Sequence, residues 1–467
     1  RNLSPWSVDS APRGRHNGPV ARSYLTRVHR AVEETPSTRN RVVDVWRVVA
    51  LLVVVFGHWL AASIWVTPDG DTLTMNTLEW IPYAAWFTWV IQVMPIFFFV
   101  GGYANAKAIS SSTTNRRSWL TTRFRRLYTP AVPVIVVWTM LAFVLRNWID
   151  ADLVYAGVLN ATIPLWFLAV YLMLVAIAPL THAWWRRWRT ASIAAFAVCA
   201  VVVDLAYRVI DIPGVGWLNL VFVWGTVHQI GYWWADREST ATMPSPRSAL
   251  VGSGIALATL IAVTTAKWYP VPMITIPGGG TQNVTPPTFA IVVLACVQIG
   301  VILATADRVT AWAGRRRPWT FVVAVSGFMM SIYVWHLTAL SLTIAVGIFT
   351  FDGAAFSLEP GTAAWWITRP VFYVVLIAVT GMIVALFARF EHDIDTSAHH
   401  RPMALVFTGM AATIVALSAT AFVYLVDRDA NITWWIPLVA VIAAALIGAY
   451  PASWRRAREP RLDNALS

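Results

Sequence analysis

The sequence predicts an all-α integral membrane protein, a polytopic helical bundle with both termini cytoplasmic. Three observations lead there. Of 467 residues, 58% are hydrophobic and only 12% charged, against roughly 25% charged in soluble domains. Apolar runs of about 20 residues recur along the chain, the length a helix needs to cross a bilayer. Porin-like barrels are excluded, because their strands are short and alternating. Finally, Lys and Arg fall almost entirely in every second connection, the signature of an oriented membrane protein.

In chain order, residues 1–41 read as a basic, Pro-containing tail, flexible and cytoplasmic, with no cleavable signal. Twelve spans are expected after it, at about 42–66, 80–105, 128–147, 163–182, 191–209, 216–235, 249–267, 287–306, 319–347, 364–389, 403–426 and 433–452. The first ten occupy residues 42–390. A cytoplasmic linker, 391–402, leads to two additional transmembrane helices, 403–452, and a second basic cytoplasmic tail, 453–467.

Basic residues number 29 in the tails and alternate connections. The opposite side holds five: Arg146, Arg208, Lys267, Arg369 and Arg428. This asymmetry places both termini inside. It also accounts for the net charge of +12 without a nucleic-acid partner. The connection 268–286 is rich in Gly and Pro and reads as an irregular outer loop. Cys199 and Cys296 lie far apart with no metal-ligand spacing. They read as small buried hydrophobes, and no metal is expected.

Ionisable groups inside spans require a reason, since each is unfavourable by several kcal/mol without compensation. The first span carries Asp44, Arg47 and His58. At about 100° per residue these lie within an arc of roughly 60°, with His58 about 16 Å outward of Arg47. They form one polar stripe. Two readings are open: an interfacial Asp44–Arg47 ion pair with a packing histidine, or a functional site. The ninth span weighs on the choice. Counted from their spans' inner ends, His336 and His58 sit at similar depth, and Tyr333 shares the face of His336. Histidine is the side chain best suited to exchange protons near neutral pH.

These stretches resemble membrane acyltransferase family 3. "VVDVWRVVALLVVVFGHW" is similar to the family's opening helix: an Asp, an Arg three residues on, a small-apolar run, then a His. "MSIYVWHL" is similar to the later Ile/Val-Tyr-Leu-Trp-His core. "MPIFFFVGGYANA", "PLWFLAVYLMLVAIAPL", "VHQIGYWWAD" and "WWITRPVFY" agree in order and spacing. The resemblance covers about residues 42–391, ten spans, and implies a ten-helix acyltransferase core. Met329, Met330 and Ser331 stand where the family usually has Ser-Tyr-Gly, which implies a divergent branch, and the basic, Ala/Val/Arg/Trp-rich usage suggests an actinobacterial-type source.

The resemblance implies an O-acyltransferase of the bacterial inner (plasma) membrane. It would move an acyl group, often acetyl, from cytoplasmic acyl-coenzyme A to a hydroxyl of a glycan or glycolipid outside or within the bilayer. His58 is the candidate general base; His336 and Tyr333 could orient it, stabilise the oxyanion or bind the acceptor. Arg47, held by Asp44, and Arg123, Arg125 and Arg126 are candidates for the donor, with topology charge or anionic-lipid contact as the alternative for the last three. Arg369 is a candidate for the acceptor or a snorkelling residue. His228 and Gln229 are acceptor candidates or a packed polar cluster. The rival function is a transporter or flippase, but no inverted repeat is evident and Asp204 is the solitary acid near a mid-chain span centre.

Overall fold

The computed structural model describes residues 20–77, 81–111, 116–275, 282–351, 353–393 and 402–451. Residues 1–19 of the expected N-terminal tail, most of the linker (394–401) and the C-terminal tail lie outside the described residues. Helix dominates for a physical reason. A bilayer offers backbone N–H and C=O groups no partners, so a spanning segment must satisfy them internally.

Helix α1 (Val20–Glu33) precedes α2 (Arg41–Ala61), whose N-terminus is capped by the Asn40 side chain accepting from the Val43 amide. An antiparallel hairpin follows, β1 (Ala62–Val66) with β2 (Thr72–Asn76), Ser63 lying opposite Met75. Then come α3 (Met94–Ser110), α4 (Arg116–Tyr128), α5 (Val132–Leu145), α6 (Ala151–Thr162) and α7 (Leu165–Trp188). They are followed by α8 (Thr190–Arg208), α9 (Asn219–Ser239), α10 (Pro246–Thr265), α11 (Phe289–Ala313) and α12 (Arg316–Gly327). Last are α13 (Met329–Phe351), α14 (Ala363–Phe387), α15 (Met403–Ala419) and α16 (Trp435–Ile447).

Each of the twelve expected spans contains a helix, and among the described residues ten helical stretches are long and apolar enough to cross a membrane. The other two expected spans fall short for different reasons. α9 is too polar, carrying Asn219, His228, Gln229 and Asp236; α16 has only 13 residues.

Three elements differ from the sequence expectation. The first span stops being helical at Ala61, where Ser63, Ile64, Trp65 and Val66 pair with β2 instead. The ninth is two helices broken at Phe328. Its second half starts under a cap supplied from elsewhere: Glu391 accepts from the Met330 and Ser331 amides at 3.0 and 2.8 Å. And the tail, expected to be flexible, is helical over α1. Val28 and Ala31 there pack with Val45, Val48, Trp319 and Val322 into a small second core, so an amphipathic stripe ties the segment down.

α2, α3, α7, α9, α11 and α13 pack against one another around the main core. α3 and α9 meet most closely. A Cβ on Gly102 would lie 1.9 Å from the His228 carbonyl oxygen, and one on Gly231 would lie 2.2 Å from that of Phe99, so only glycine permits this approach. The loop after α10 is clasped onto the start of α3: Trp89 donates to the Val271 carbonyl, Gln92 to that of Met273, and the Met273 amide donates to Thr88.

Candidate active site

The centre of the molecule is the contact of α2 with α13. Trp59 donates its indole N–H to the His336 carbonyl at 3.0 Å, locking the two helices in register. Trp138 donates to Thr338 and Asn160 to Ser341, so α13 is held from α5 and α6 as well. The preceding residue on α2, His58, then meets His336 side chain to side chain. The rings lie 5.2 Å apart and 14° from parallel, with His58 Nδ1 2.9 Å from His336 Nε2.

The proton positions follow from the partners. His336 Nδ1 is 2.7 Å from the Tyr333 carbonyl oxygen, which can only accept, so Nδ1 carries the proton. The neutral ring therefore presents a lone pair at Nε2. His58 Nδ1 must then be the donor to it. That leaves the lone pair of His58 on Nε2, where, among the described residues, no hydrogen bond occupies it. His336 is wholly buried, whereas His58 keeps part of its surface accessible and Gly57 beside it faces open space. An oriented imidazole whose unshared pair is not taken up by the described residues is the arrangement a general base requires.

Tyr333 enters this relay through its backbone. Its hydroxyl is engaged elsewhere, donating to the Pro164 carbonyl at 2.6 Å. Its ring stands edge-on to Phe167 of α7, centroids 5.6 Å apart.

Nearer the start of α2, the Asp44–Arg47 contact is present but loose at 3.9 Å; Asp44 is held more closely by Arg39 at 2.6 Å. The Arg47 guanidinium is thus incompletely neutralised, and it lies within electrostatic range of Arg123 and Tyr171. Arg123 donates to the Tyr171 hydroxyl at 2.9 Å, and its own Nε is buried without a partner among the described residues. Arg126 is adjacent to Arg123 and part-exposed. Arg125 points a different way. It is buried, and its Nε donates to the Ile447 carbonyl at 2.5 Å, capping the end of α16.

The remaining candidates are dispersed. His228 Nε2 is 3.0 Å from the Asn105 amide nitrogen toward α3, while Gln229 bonds Ser192 toward α8. Arg369 is sandwiched between Trp365 and Phe372, its guanidinium 4.3 and 4.8 Å from their ring centroids. Arg39, Tyr171 and Trp59 were not singled out from the sequence. Arg39 precedes the span it serves. Tyr171 and Trp59 look like membrane-core aromatics, and only their polar tips distinguish them.

This geometry sits inside a recognisable sequence frame. Residues 40–389, well over half the chain, match the family model described as an acyltransferase domain. The chain belongs to membrane acyltransferase family 3. No curated protein and no solved structure matches it. As a family member it is a multi-pass membrane acyltransferase, and the matched region contains α2 and α13, which meet at His58 and His336.

Proposed function

We propose that this acyltransferase takes an acyl group, acetyl in the simplest case, from acyl-coenzyme A at the cytoplasmic face of a bacterial inner membrane. The acceptor is a hydroxyl of a glycan or glycolipid reached from within the bilayer or from outside. The observation that carries this reading is the relay Tyr333 carbonyl, His336, His58, ending on an open lone pair.

In the proposed step, His58 Nε2 removes the acceptor hydroxyl proton as the oxygen attacks the thioester carbonyl. The positive charge formed on His58 is shared through its Nδ1–H with His336 Nε2. The tetrahedral intermediate collapses, the carbon–sulfur bond breaks, and the proton on His58 passes to the departing thiolate. Ester and free coenzyme A result, and both histidines return to their starting tautomers. Arg47 and Arg123 hold the donor on the inner side, which the positive-inside charge pattern makes cytoplasmic.

The test is acceptor-dependent release of coenzyme A. Purified protein in lipid nanodiscs, given acetyl-coenzyme A and an envelope glycolipid extract, should liberate thiol and label the extract. Failure to turn over thioester with any hydroxyl acceptor rejects the reading. A reporter at Ser467 should be cytoplasmic and one within 268–286 external; the reverse rejects the direction of transfer.

A further inference from the structure

At the end of α7 remote from the Tyr333 contact, a cleft of about 580 Å³ opens between α3, α4 and α7. It is lined by Arg116, Arg186, Arg187 and His182, over a floor of Ile109, Pro179 and Ala183. The lining has three guanidiniums and no carboxylate. Among the described residues none of the three arginines forms an ion pair, whereas nearby Arg189 is bound to Asp236 at 3.0 Å. His182 is only 7% exposed. It packs edge-on against Tyr232 at 5.3 Å, and among the described residues no hydrogen bond takes up its imidazole. A buried, unpartnered imidazole and three convergent, unneutralised guanidiniums describe a receptor for a multiply phosphorylated group.

We propose that this cleft holds the 3′-phosphorylated ADP end of the donor, an inference that rests on the acyl-coenzyme A reading above. Its volume lies in the range of small-molecule sites. Its three guanidiniums face a ligand end bearing three phosphates, and its apolar floor suits the face of an adenine. The cleft is also in line with the reaction centre. Along α7, Tyr171 lies eleven residues from His182, about 16 Å at 1.5 Å per residue. Phe167, in contact with Tyr333, lies about 22 Å away. The long, thin pantetheine arm can follow this line past Arg123 and Arg47. An anionic phospholipid headgroup shares the phosphate chemistry, and the experiment separates the two.

Affinities of coenzyme A, dephospho-coenzyme A and adenosine 3′,5′-bisphosphate are measured directly, without turnover, in phosphatidylcholine nanodiscs. The wild type should prefer coenzyme A to its dephospho form. Arg116→Gln combined with Arg186→Gln and Arg187→Gln should weaken coenzyme A by about tenfold or more and abolish that preference. The corresponding Lys variants should keep part of it. The ratio of the two affinities does not depend on the folded fraction of a variant. If the Gln variant binds coenzyme A like the wild type, the cleft assignment fails while the donor reading stands. If the wild type binds no coenzyme A, the donor reading fails with it. If the Gln variant instead loses co-purifying phosphatidylglycerol with coenzyme A affinity unchanged, the cleft is a lipid site and the proposal is overturned.

Discussion

Two buried polar clusters, one at Asp204 and one at His58, look alike in sequence and differ in how their hydrogen bonds close. Asp204 is 5% exposed on α8. Its Oδ1 accepts from Asn219 at 2.7 Å, and its Oδ2 accepts from the Tyr269 hydroxyl at 2.8 Å and the Phe289 amide at 2.7 Å. Every partner is built into the chain, and the cluster ties the loop after α10 to the starts of α9 and α11. At His58 the chain of donors runs from one ring to the next and ends on a nitrogen without a partner among the described residues. Burial of a polar group therefore does not by itself mark function. The discriminating feature is whether the ionisable group itself has its lone pairs taken up: both Asp204 oxygens do, although Asn219 Oδ1 beside them is buried without a partner among the described residues, and His58 Nε2 does not.

The sharpest test of that contrast is His58→Ala. It should reduce acyl transfer by about 10²–10⁴-fold, the usual contribution of a positioned base, with insertion and coenzyme A affinity retained. His336→Ala should also be damaging, and His336→Asn, whose amide oxygen can still accept from His58, less so. Transfer by His58→Ala at the wild-type rate would reduce the histidine pair to packing. Arg47 comes next, since its pairing with Asp44 is also incomplete. Arg47→Ala should raise the donor KM by about tenfold, and Arg47→Lys should restore only part, because an ammonium lacks the planar fork. Unchanged KM in both variants would place Arg47 with the closed clusters.

The closed clusters should respond in stability and leave the rate per folded molecule untouched. Asp204→Ala leaves Tyr269 and the Phe289 amide without their acceptor, and Asn219 with only its 3.3 Å bond to the Ala200 carbonyl, and should lower stability by about 1–3 kcal/mol; a selective loss of transfer would contradict the comparison. Glu391, outside the spanning segments, should show only in the pH dependence of stability. Burial pushes its carboxyl up from 4.5 to about 7 against the two amides that favour the anion. The folded state thus favours the proton. The stability this contributes is complete below about pH 4.5 and is lost as pH rises through about 7, with a slope no steeper than about 1.4 kcal/mol per pH unit. Glu391→Gln should flatten that part of a thermal-unfolding pH profile.

Much of this was legible in the residues themselves. Apolar run length located a helix in each expected span, and matched depth on two stretches 278 residues apart brought His58 to His336. What escaped was decided by partners distant in sequence. Glu391 caps a helix that begins some 60 residues earlier. Asp204, solitary in sequence, is surrounded by groups from three other segments. Arg125 looked like its neighbours Arg123 and Arg126, but successive helical positions face different ways, and it faces the last helix. Helical periodicity within 20–33 was hidden by the high charge around it.

The Arg125 cap bears on where this molecule can be cut. The family match stops at residue 389, which invites a minimal version lacking α15 and α16. Yet Arg125, inside the matched region, spends its guanidinium on the Ile447 carbonyl, and Tyr128 one turn on donates to that of Ala440 at 3.0 Å. Deleting the last two helices would take these acceptors away from a buried cation and a phenol, a loss of several kcal/mol. The two helices beyond the family match are tied to it by these contacts, and a gene truncated before them should yield protein that is degraded rather than a smaller enzyme.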